Sequence, residues 1–224
     1  MLEYVNITDI PGIKIGNAED LTGGTGCTVV LCEKGGVAGV DVRGGAPGTR
    51  ETDLLDPIKM MDRIHGIMLA GGSAFGLDAA AGVMEYLEKK GIGFDVGITK
   101  VPIVSAAVLF DLMVGDYRCR PDKEMGYRAC VNAENGRFSE GSVGAGTGAT
   151  VGKILGMKNA MKGGLGSYCI KIGSLYVGAL VAVNCFGDVV DPDSGEILAG
   201  AYSLENNNFV NTEKLIMEQK LVDD

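Results

Sequence analysis

The glycine-rich run from Gly141 to Lys153 is the part of the sequence best suited to bring main chain close to a reacting group. Glycine has no Cβ, so a ligand can approach its backbone, and successive N–H groups in such turns can bind an anion. Residues 141–187 contain no Asp or Glu in a chain whose net charge is −9, and their cations are Lys153, Lys158, Lys162 and Lys171. Solvated lysines can cluster by chance. The functional interpretation is a positive backbone cradle that stabilises an oxyanion or lowers the pKa of a nearby amine.

The same run fails two nucleotide-binding patterns. A phosphate-binding P-loop needs glycine where Thr147 stands and Ser or Thr where Ile154 stands. The spacing Gly144-x-Gly146-x-x-Ala149 fits a dinucleotide fingerprint loosely, but the acidic ribose ligand about 20 residues further on is missing. We therefore expect no nucleotide and no other cofactor.

A second candidate centre follows the short apolar strand of residues 67–70, where the chain turns at Gly72-Ser73 into a helix. Strand, turn and helix resemble a nucleophile elbow, but Phe75 replaces the last glycine of that pattern. The only histidine, His65, lies before the strand, and a five-residue strand spans roughly 16 Å, so His65 cannot activate Ser73 within this unit. No histidine is placed as a base and no cysteine has a visible activator, and one solution is an N-terminal nucleophile. In that arrangement a Ser or Thr exposed by precursor cleavage uses its own α-amino group as the base.

Strands separated by glycine turns, with two or three helices, must position these residues. Alternation and turn residues predict hairpins, whereas helical spacing and terminal Pro or Gly predict helices. The second hairpin delivers Asn184 at the end of an apolar strand. No strand is predicted to close the fold, which suggests a missing partner segment. The predicted elements are hairpins over residues 28–42 and 167–183, a strand over residues 101–111, and helices over residues 77–90, 121–135 and 212–222.

Length and composition predict one domain over residues 1–224, because 46% hydrophobic residues suffice for a substantial core. The six cysteines form no C-x-x-C pair and have no histidine at zinc spacing, so we expect reduced thiols and no metal site. A pI near 4.7 argues against nucleic acid as a partner. The chain shows neither a signal peptide nor an apolar stretch of 18 residues, so we expect no membrane partner and a soluble, cytoplasmic protein.

Five ordered motifs carry a family resemblance, and they lie in residues 41–52, 71–78, 101–104, 143–149 and 162–166. Together they are similar to the DmpA-like L-aminopeptidase/D-Ala-esterase/amidase family, which includes β-peptidyl aminopeptidases and nylon-oligomer hydrolases. The resemblance implies an α+β fold, a four-layer αββα sandwich of the N-terminal-nucleophile-hydrolase type. It also implies autocatalytic cleavage of a precursor before a Ser or Thr into a large α and a small β fragment. This chain resembles the α fragment.

The resemblance also implies roles for individual residues. Asn184 matches the oxyanion-hole asparagine, and Lys153 matches a lysine beside the nucleophile in the nylon-hydrolase branch. Phe110 stands where members with a catalytic tyrosine have Tyr, so a phenolic donor is missing there. We expect Gly72 and Ser73, with Phe110, to line the acyl pocket.

The predicted function is an amide hydrolase that releases N-terminal residues from short peptides or peptide-like amides through an acyl-enzyme. The nucleophile lies on a separate β fragment, and a homo-oligomer, a tetramer of αβ units, is expected. One alternative is an acyltransferase similar to ornithine acetyltransferase, which hands the acyl group to an amine. Another is a non-catalytic relative whose pocket binds a small molecule.

Overall fold

The computed structural model describes residues 1–218, which form sixteen strands and three α-helices. The helices are α1 (Ala79–Lys89), α2 (Lys123–Ala133) and α3 (Thr212–Met217). The strands are β1 (Leu2–Tyr4), β2 (Lys14–Asp20), β3 (Thr25–Gly36), β4 (Thr49–Arg50), β5 (Ile64–Ala70), β6 (Phe94–Asp95), β7 (Lys100–Val101), β8 (Val104–Val108), β9 (Thr150–Val151), β10 (Met161–Lys162), β11 (Gly164–Ile172), β12 (Leu175–Val183), β13 (Val189–Val190), β14 (Ile197–Ala199), β15 (Tyr202–Ser203) and β16 (Asn208–Phe209).

The main sheet has five strands in the order β2-β3-β5-β8-β4. Only β5 and β8 run parallel, and α1 lies in the connection between them, as a parallel pair requires a long crossover. Val29, Leu31 and Met68 on one face of the sheet are fully buried against the helices. The apolar alternation of β3 and β5 therefore fixes which face carries the helical layer.

Glycines let α1 and α2 pack closely against each other. A Cβ on Gly82 would collide with the carbonyl oxygen of Lys123, and one on Gly126 would collide with that of Ala79. The helix predicted over residues 121–135 is confirmed, but it begins at Lys123. Asp122 is its N-cap and accepts from Met125 N at 2.8 Å, so the preceding proline lies outside the helix.

A second sheet, in the order β1-β11-β12, packs over the β2–β3 half of the main sheet. The predicted hairpin is confirmed, with Ile172 opposite Leu175 across the turn. Ile15 of the main sheet meets Cys169 and Leu180 of the second in a small apolar cluster. The outer face of the second sheet is exposed: Val177 and Val181 are each 52% accessible. Within residues 1–218, the second edge of β12 pairs with no strand.

The predicted hairpin over residues 28–42 is wrong. Strand β3 continues to Gly36 and pairs with β2 on one side and β5 on the other, so no returning strand can fit. Residues 37–42 leave the sheet, and Val37 is 87% exposed. The strand predicted over residues 101–111 is shorter than expected and covers Val104–Val108.

The last described segment folds as two short hairpins and α3. Asp188 holds it together, because its carboxylate accepts from Ala201 N at 3.0 Å and from both the N–H and the hydroxyl of Thr212 at 2.7 and 2.8 Å. The helix predicted over residues 212–222 is present as Thr212–Met217, and its remainder lies outside the described residues. Among residues 1–218 no helix is long and apolar enough to cross a membrane.

Candidate active site

The glycine-rich run is a packing element between the two sheets, and most of its backbone donors are used within the chain. Gly144 N donates to Glu19 Oε2 and Ala145 N to Thr28 Oγ1, each at 3.0 Å. A Cβ on Gly146 would collide with the backbone of Leu165 in the second sheet. The predicted backbone cradle for an anion is therefore wrong at Gly144 and Ala145, because protein oxygens already occupy that place. The glycines instead let the sheets approach.

Lys153 lies two residues after the end of β9, and Gly152 between them adopts φ +68° and redirects the chain. Its ammonium is half-buried and donates to three carbonyl oxygens, those of Thr150 (2.8 Å), Asn184 (3.0 Å) and Cys185 (3.2 Å). It also lies 3.1 Å from Asn184 Oδ1. No carboxylate pairs with it in the described part of the chain, and burial lowers the pKa of Lys153.

Asn184 comes directly after β12, and its side-chain amide is fixed at both ends. Its Oδ1 accepts from Thr150 N at 3.0 Å as well as from Lys153, while its Nδ2 donates to Phe110 O at 3.2 Å. An amide nitrogen carries two hydrogens, so one N–H of Asn184 has no partner among residues 1–218. The structure thus places a positioned amide donor and an ammonium side by side, and we call this pair the Lys153–Asn184 corner.

A mostly apolar cavity of about 270 Å³ opens beside the Lys153–Asn184 corner. Phe110, which is 52% exposed, forms one wall of this pocket. The other lining residues are Asp111, Met113, Val114, Thr150, Lys153, Gly156, Met157 and Phe186. Three of the five site residues expected from the sequence therefore come together here: Lys153, Asn184 and Phe110.

Gly72 and Ser73 lie next to this pocket but do not line it. Both have positive φ, +80° and +54°, at the turn from β5 into a 3₁₀ helix over Ser73–Asp78. Ser73 N donates to Leu109 O at 3.0 Å, which ties the turn to the residue before Phe110. His65 lies in β5, where its Nδ1 accepts from Ile103 N at 3.2 Å and burial lowers its pKa. It is a structural histidine, unavailable to Ser73.

Asp111 is a site residue that the sequence analysis did not identify. It is 3% exposed, yet its carboxylate accepts from Gly72 N at 2.6 Å and from Thr25 Oγ1 at 2.7 Å. A Cβ on Gly71 or on Gly148 would collide with the same carboxylate. Asp111 thus holds the Gly72 turn against the glycine-rich run. The available signal was an acidic residue at the end of an apolar stretch, because such a group needs buried donors.

The fold of this chain is similar to that of a solved protein with the Ntn (N-terminal-nucleophile) hydrolase fold. It resembles the L-aminopeptidase D-Ala-esterase/amidase from Ochrobactrum anthropi, a variant of the Ntn hydrolase fold, with a TM-score of 0.63. The likeness covers 80% of this chain and 52% of that one at 19% identity. The predicted α+β fold of this type is confirmed.

The chain belongs to peptidase family S58, whose family model matches residues 6–208. It is 46% identical to an uncharacterized aminopeptidase of Mycobacterium leprae, over 85% of this chain and 55% of that protein. It is 34% identical to a 6-aminohexanoate-oligomer endohydrolase of Paenarthrobacter ureafaciens, over 88% of this chain and 52% of that protein. The family resemblance drawn from the five motifs is confirmed. The chain spans about half the length of these relatives.

Proposed function

We propose that this chain is the large α fragment of a self-processed amide hydrolase, which releases N-terminal residues from short peptides or peptide-like amides. The observation that carries the proposal is the Lys153–Asn184 corner, where a half-buried ammonium and a fixed amide donor flank an apolar pocket. Membership of peptidase family S58 and relatives named as an aminopeptidase and an oligomer endohydrolase support an amide bond as the target.

The proposed nucleophile is the Ser or Thr at the N-terminus of a separate β fragment. Its α-amine takes the hydroxyl proton while the hydroxyl oxygen bonds to the amide carbon, and the carbonyl electrons move onto oxygen. The free N–H of Asn184 donates to that oxyanion. Collapse breaks the C–N bond, the amine leaves with the proton, and water then hydrolyses the acyl-enzyme.

Lys153 acts on the base in this proposal. An ammonium close to the α-amine disfavours a second positive charge and so lowers the pKa of that amine, which keeps it neutral and able to accept a proton. Carbonyl oxygens hold Lys153 in place without neutralising its charge. Lys153 therefore sets the local field and assists proton transfer.

The pocket beside the corner is proposed to hold the acyl group. Its walls include Phe110 and Phe186, and its volume of about 270 Å³ suits one small side chain. Gly72 supports the pocket through its hydrogen bond to Asp111, and Ser73 through its hydrogen bond to Leu109 O. The missing phenolic hydroxyl at Phe110 makes Asn184 the main side-chain donor in the proposal.

Two surfaces support a β fragment as the partner. The edge of β12 is open among residues 1–218, and the outer face of the second sheet exposes Val177, Val181 and Tyr168. Such edges and faces are normally paired or covered. We propose that strands and helices of the β fragment complete the second sheet and the fourth layer. A cytoplasmic homo-oligomer, a tetramer of αβ units, is the proposed assembly.

A hydrolysis assay on the protein expressed from its full-length gene tests this function. Short peptides and amino-acid p-nitroanilides should lose their N-terminal residue, and a quenched reaction should carry the acyl group on the first residue of the β fragment. Added amine acceptors should leave hydrolysis dominant. Dominant transfer to the amine would establish the acyltransferase instead, and binding without turnover would establish a non-catalytic relative.

A further inference from the structure

Arg120 is an arginine held in one orientation near the pocket. Its Nε donates to Tyr117 O at 2.9 Å, and its guanidinium carbon lies 3.6 Å from the centre of the Phe75 ring. The arginine is half-buried, whereas Phe75 is 56% exposed. Stacking on an aromatic face and one anchored nitrogen fix the plane of the guanidinium group before any ligand arrives.

The terminal nitrogens of Arg120 have no hydrogen-bond partner among residues 1–218. Arg118, two residues earlier, shows the ordinary alternative: it pairs with Asp116, with Nη2 at 2.8 Å from Oδ2. Arginine presents paired N–H groups whose geometry matches a carboxylate, and ordering them in advance removes much of the entropy cost of binding. In a chain of net charge −9, a fixed and unpaired fork of this kind is suited to a small carboxylate ligand.

The position of Arg120 connects it to the candidate active site. A Cβ on Gly72 would lie 3.4 Å from Arg120 Cβ, and Phe75 belongs to the 3₁₀ helix that starts at Ser73. Ser73 N is bonded to Leu109 O, and the next residue, Phe110, lines the pocket and accepts from Asn184. These contacts form one continuous path from the pocket to Arg120. A ligand extending from the Lys153–Asn184 corner along this turn would approach Arg120.

We propose that Arg120, supported by Phe75, binds the C-terminal carboxylate of the substrate's leaving portion. This inference rests on the proposed amide hydrolase and names its substrate class: short peptides with a free carboxylate. Because each residue extends the chain by at most about 3.6 Å, only a leaving portion of a few residues can place its carboxylate at Arg120. Longer chains carry their carboxylate past the fork.

Paired substrates test the proposal on the protein expressed from its full-length gene. Dipeptides and tripeptides are compared with the same peptides ending in a carboxamide. We expect the wild type to favour the free acids in kcat/KM. Arg120→Gln should lower kcat/KM for the acids by roughly 10–100-fold, mainly through KM, and leave the carboxamides within about twofold. Arg120→Lys should restore part of the loss, and Arg118→Gln is the matched control that should change neither substrate.

The possible results distinguish failure of the carboxylate site from failure of the proposed amide hydrolase. Hydrolysis of acids and carboxamides at equal rates by the wild type would overturn the carboxylate site while leaving the hydrolase intact. Equal losses on both substrates in Arg120→Gln, with or without a lower Tm, would show that Arg120 does not bind the substrate's carboxylate and would also overturn the proposal. Failure of the wild type to hydrolyse either substrate would reject the proposed function.

Discussion

Lysines in two regions of this protein have pKa values that are shifted in opposite directions by their surroundings. One region is the charge cluster formed by Lys14, Glu33, Tyr86, Lys90 and Glu134. Here Lys90 contacts Glu134 and lies 3.1 Å from Glu33 Oε1, and the carboxylates of Glu134 and Glu33 raise the pKa of Lys90. In the Lys153–Asn184 corner, the ammonium meets only neutral oxygens, and burial lowers the pKa of Lys153. Partners, and not residue type, decide what a lysine does.

The two regions also differ in role: the charge cluster contributes to stability, and the Lys153–Asn184 corner is suited to chemistry. The charge cluster joins the strands β2 and β3 to the helices α1 and α2, and its four charged side chains are 26–37% exposed. Solvent and salt screen such pairs, so each contributes at most about 1 kcal/mol. The corner forms no ion pair in the described chain, and a charge held that way is available to act on another group.

The largest expected effect is at the corner. Asn184→Ala removes the proposed oxyanion donor and should lower kcat by about 10²–10³ without unfolding the protein. Circular dichroism and steady-state kinetics on the processed protein measure both. Asn132→Ala is the control, since it removes an amide bond to Asn17 O far from the pocket and should leave kcat unchanged. If Asn184→Ala unfolds and keeps its activity per folded molecule, Asn184 is structural.

The second-largest effect is expected at Lys153, and it tests the electrostatic difference between the two regions. Lys153→Met removes the ammonium, so the pKa of the α-amine should rise and the acidic limb of the pH–rate profile should move to higher pH. A shift of about one unit is a tenfold loss on that limb. Lys171→Met, from the same acid-free segment but over the Tyr176 ring, should leave the limb in place. A lowered plateau with an unmoved limb would reduce Lys153 to a positioning group.

Asp111→Asn tests the support behind the corner. The substitution keeps the shape but removes the charge that accepts from Gly72 N and Thr25 Oγ1, so the free energy of unfolding should fall by roughly 1–3 kcal/mol. We expect a loss of kcat of up to about tenfold, because the Gly72 turn shifts. Thr25→Val removes one of the same hydrogen bonds, and urea denaturation of the double variant should show less than additive loss. Full additivity would mean that the two residues act separately.

The smallest effect is expected in the charge cluster. Lys90, Tyr86 and Lys14 lower the pKa of Glu134 to about 2, against 4.5 for a free glutamate. Its stabilising contribution is therefore complete above pH 4.5 and disappears as the pH falls towards 2. Glu134→Gln should lower the free energy of unfolding by at most about 1 kcal/mol at pH 7 and leave kcat unchanged. It should also weaken the dependence of stability on pH below pH 4.5. A change in kcat would contradict the division between the two regions.

The sequence predicted the elements whose pattern is local. The helix over residues 77–90 and the hairpin over residues 167–183 follow from periodicity and turn residues, and the second places Asn184 correctly at a strand end. The prediction of a hairpin over residues 28–42 was wrong because the pairing of β3 with β5 depends on contacts distant in sequence. Asp111 was missed for the same reason, since its partner Thr25 is 86 residues away. Arg120 depends on stacking with Phe75, which no spacing rule shows.

The intact mass of the protein purified from its full-length gene tests the central claim most directly. If this chain is the α fragment of a self-processed hydrolase, the spectrum should show two polypeptides whose masses sum to the precursor, and the smaller should begin with Ser or Thr. A single uncleaved polypeptide in an active preparation would contradict the account, because the α-amine that Lys153 and Asn184 are proposed to serve would not exist.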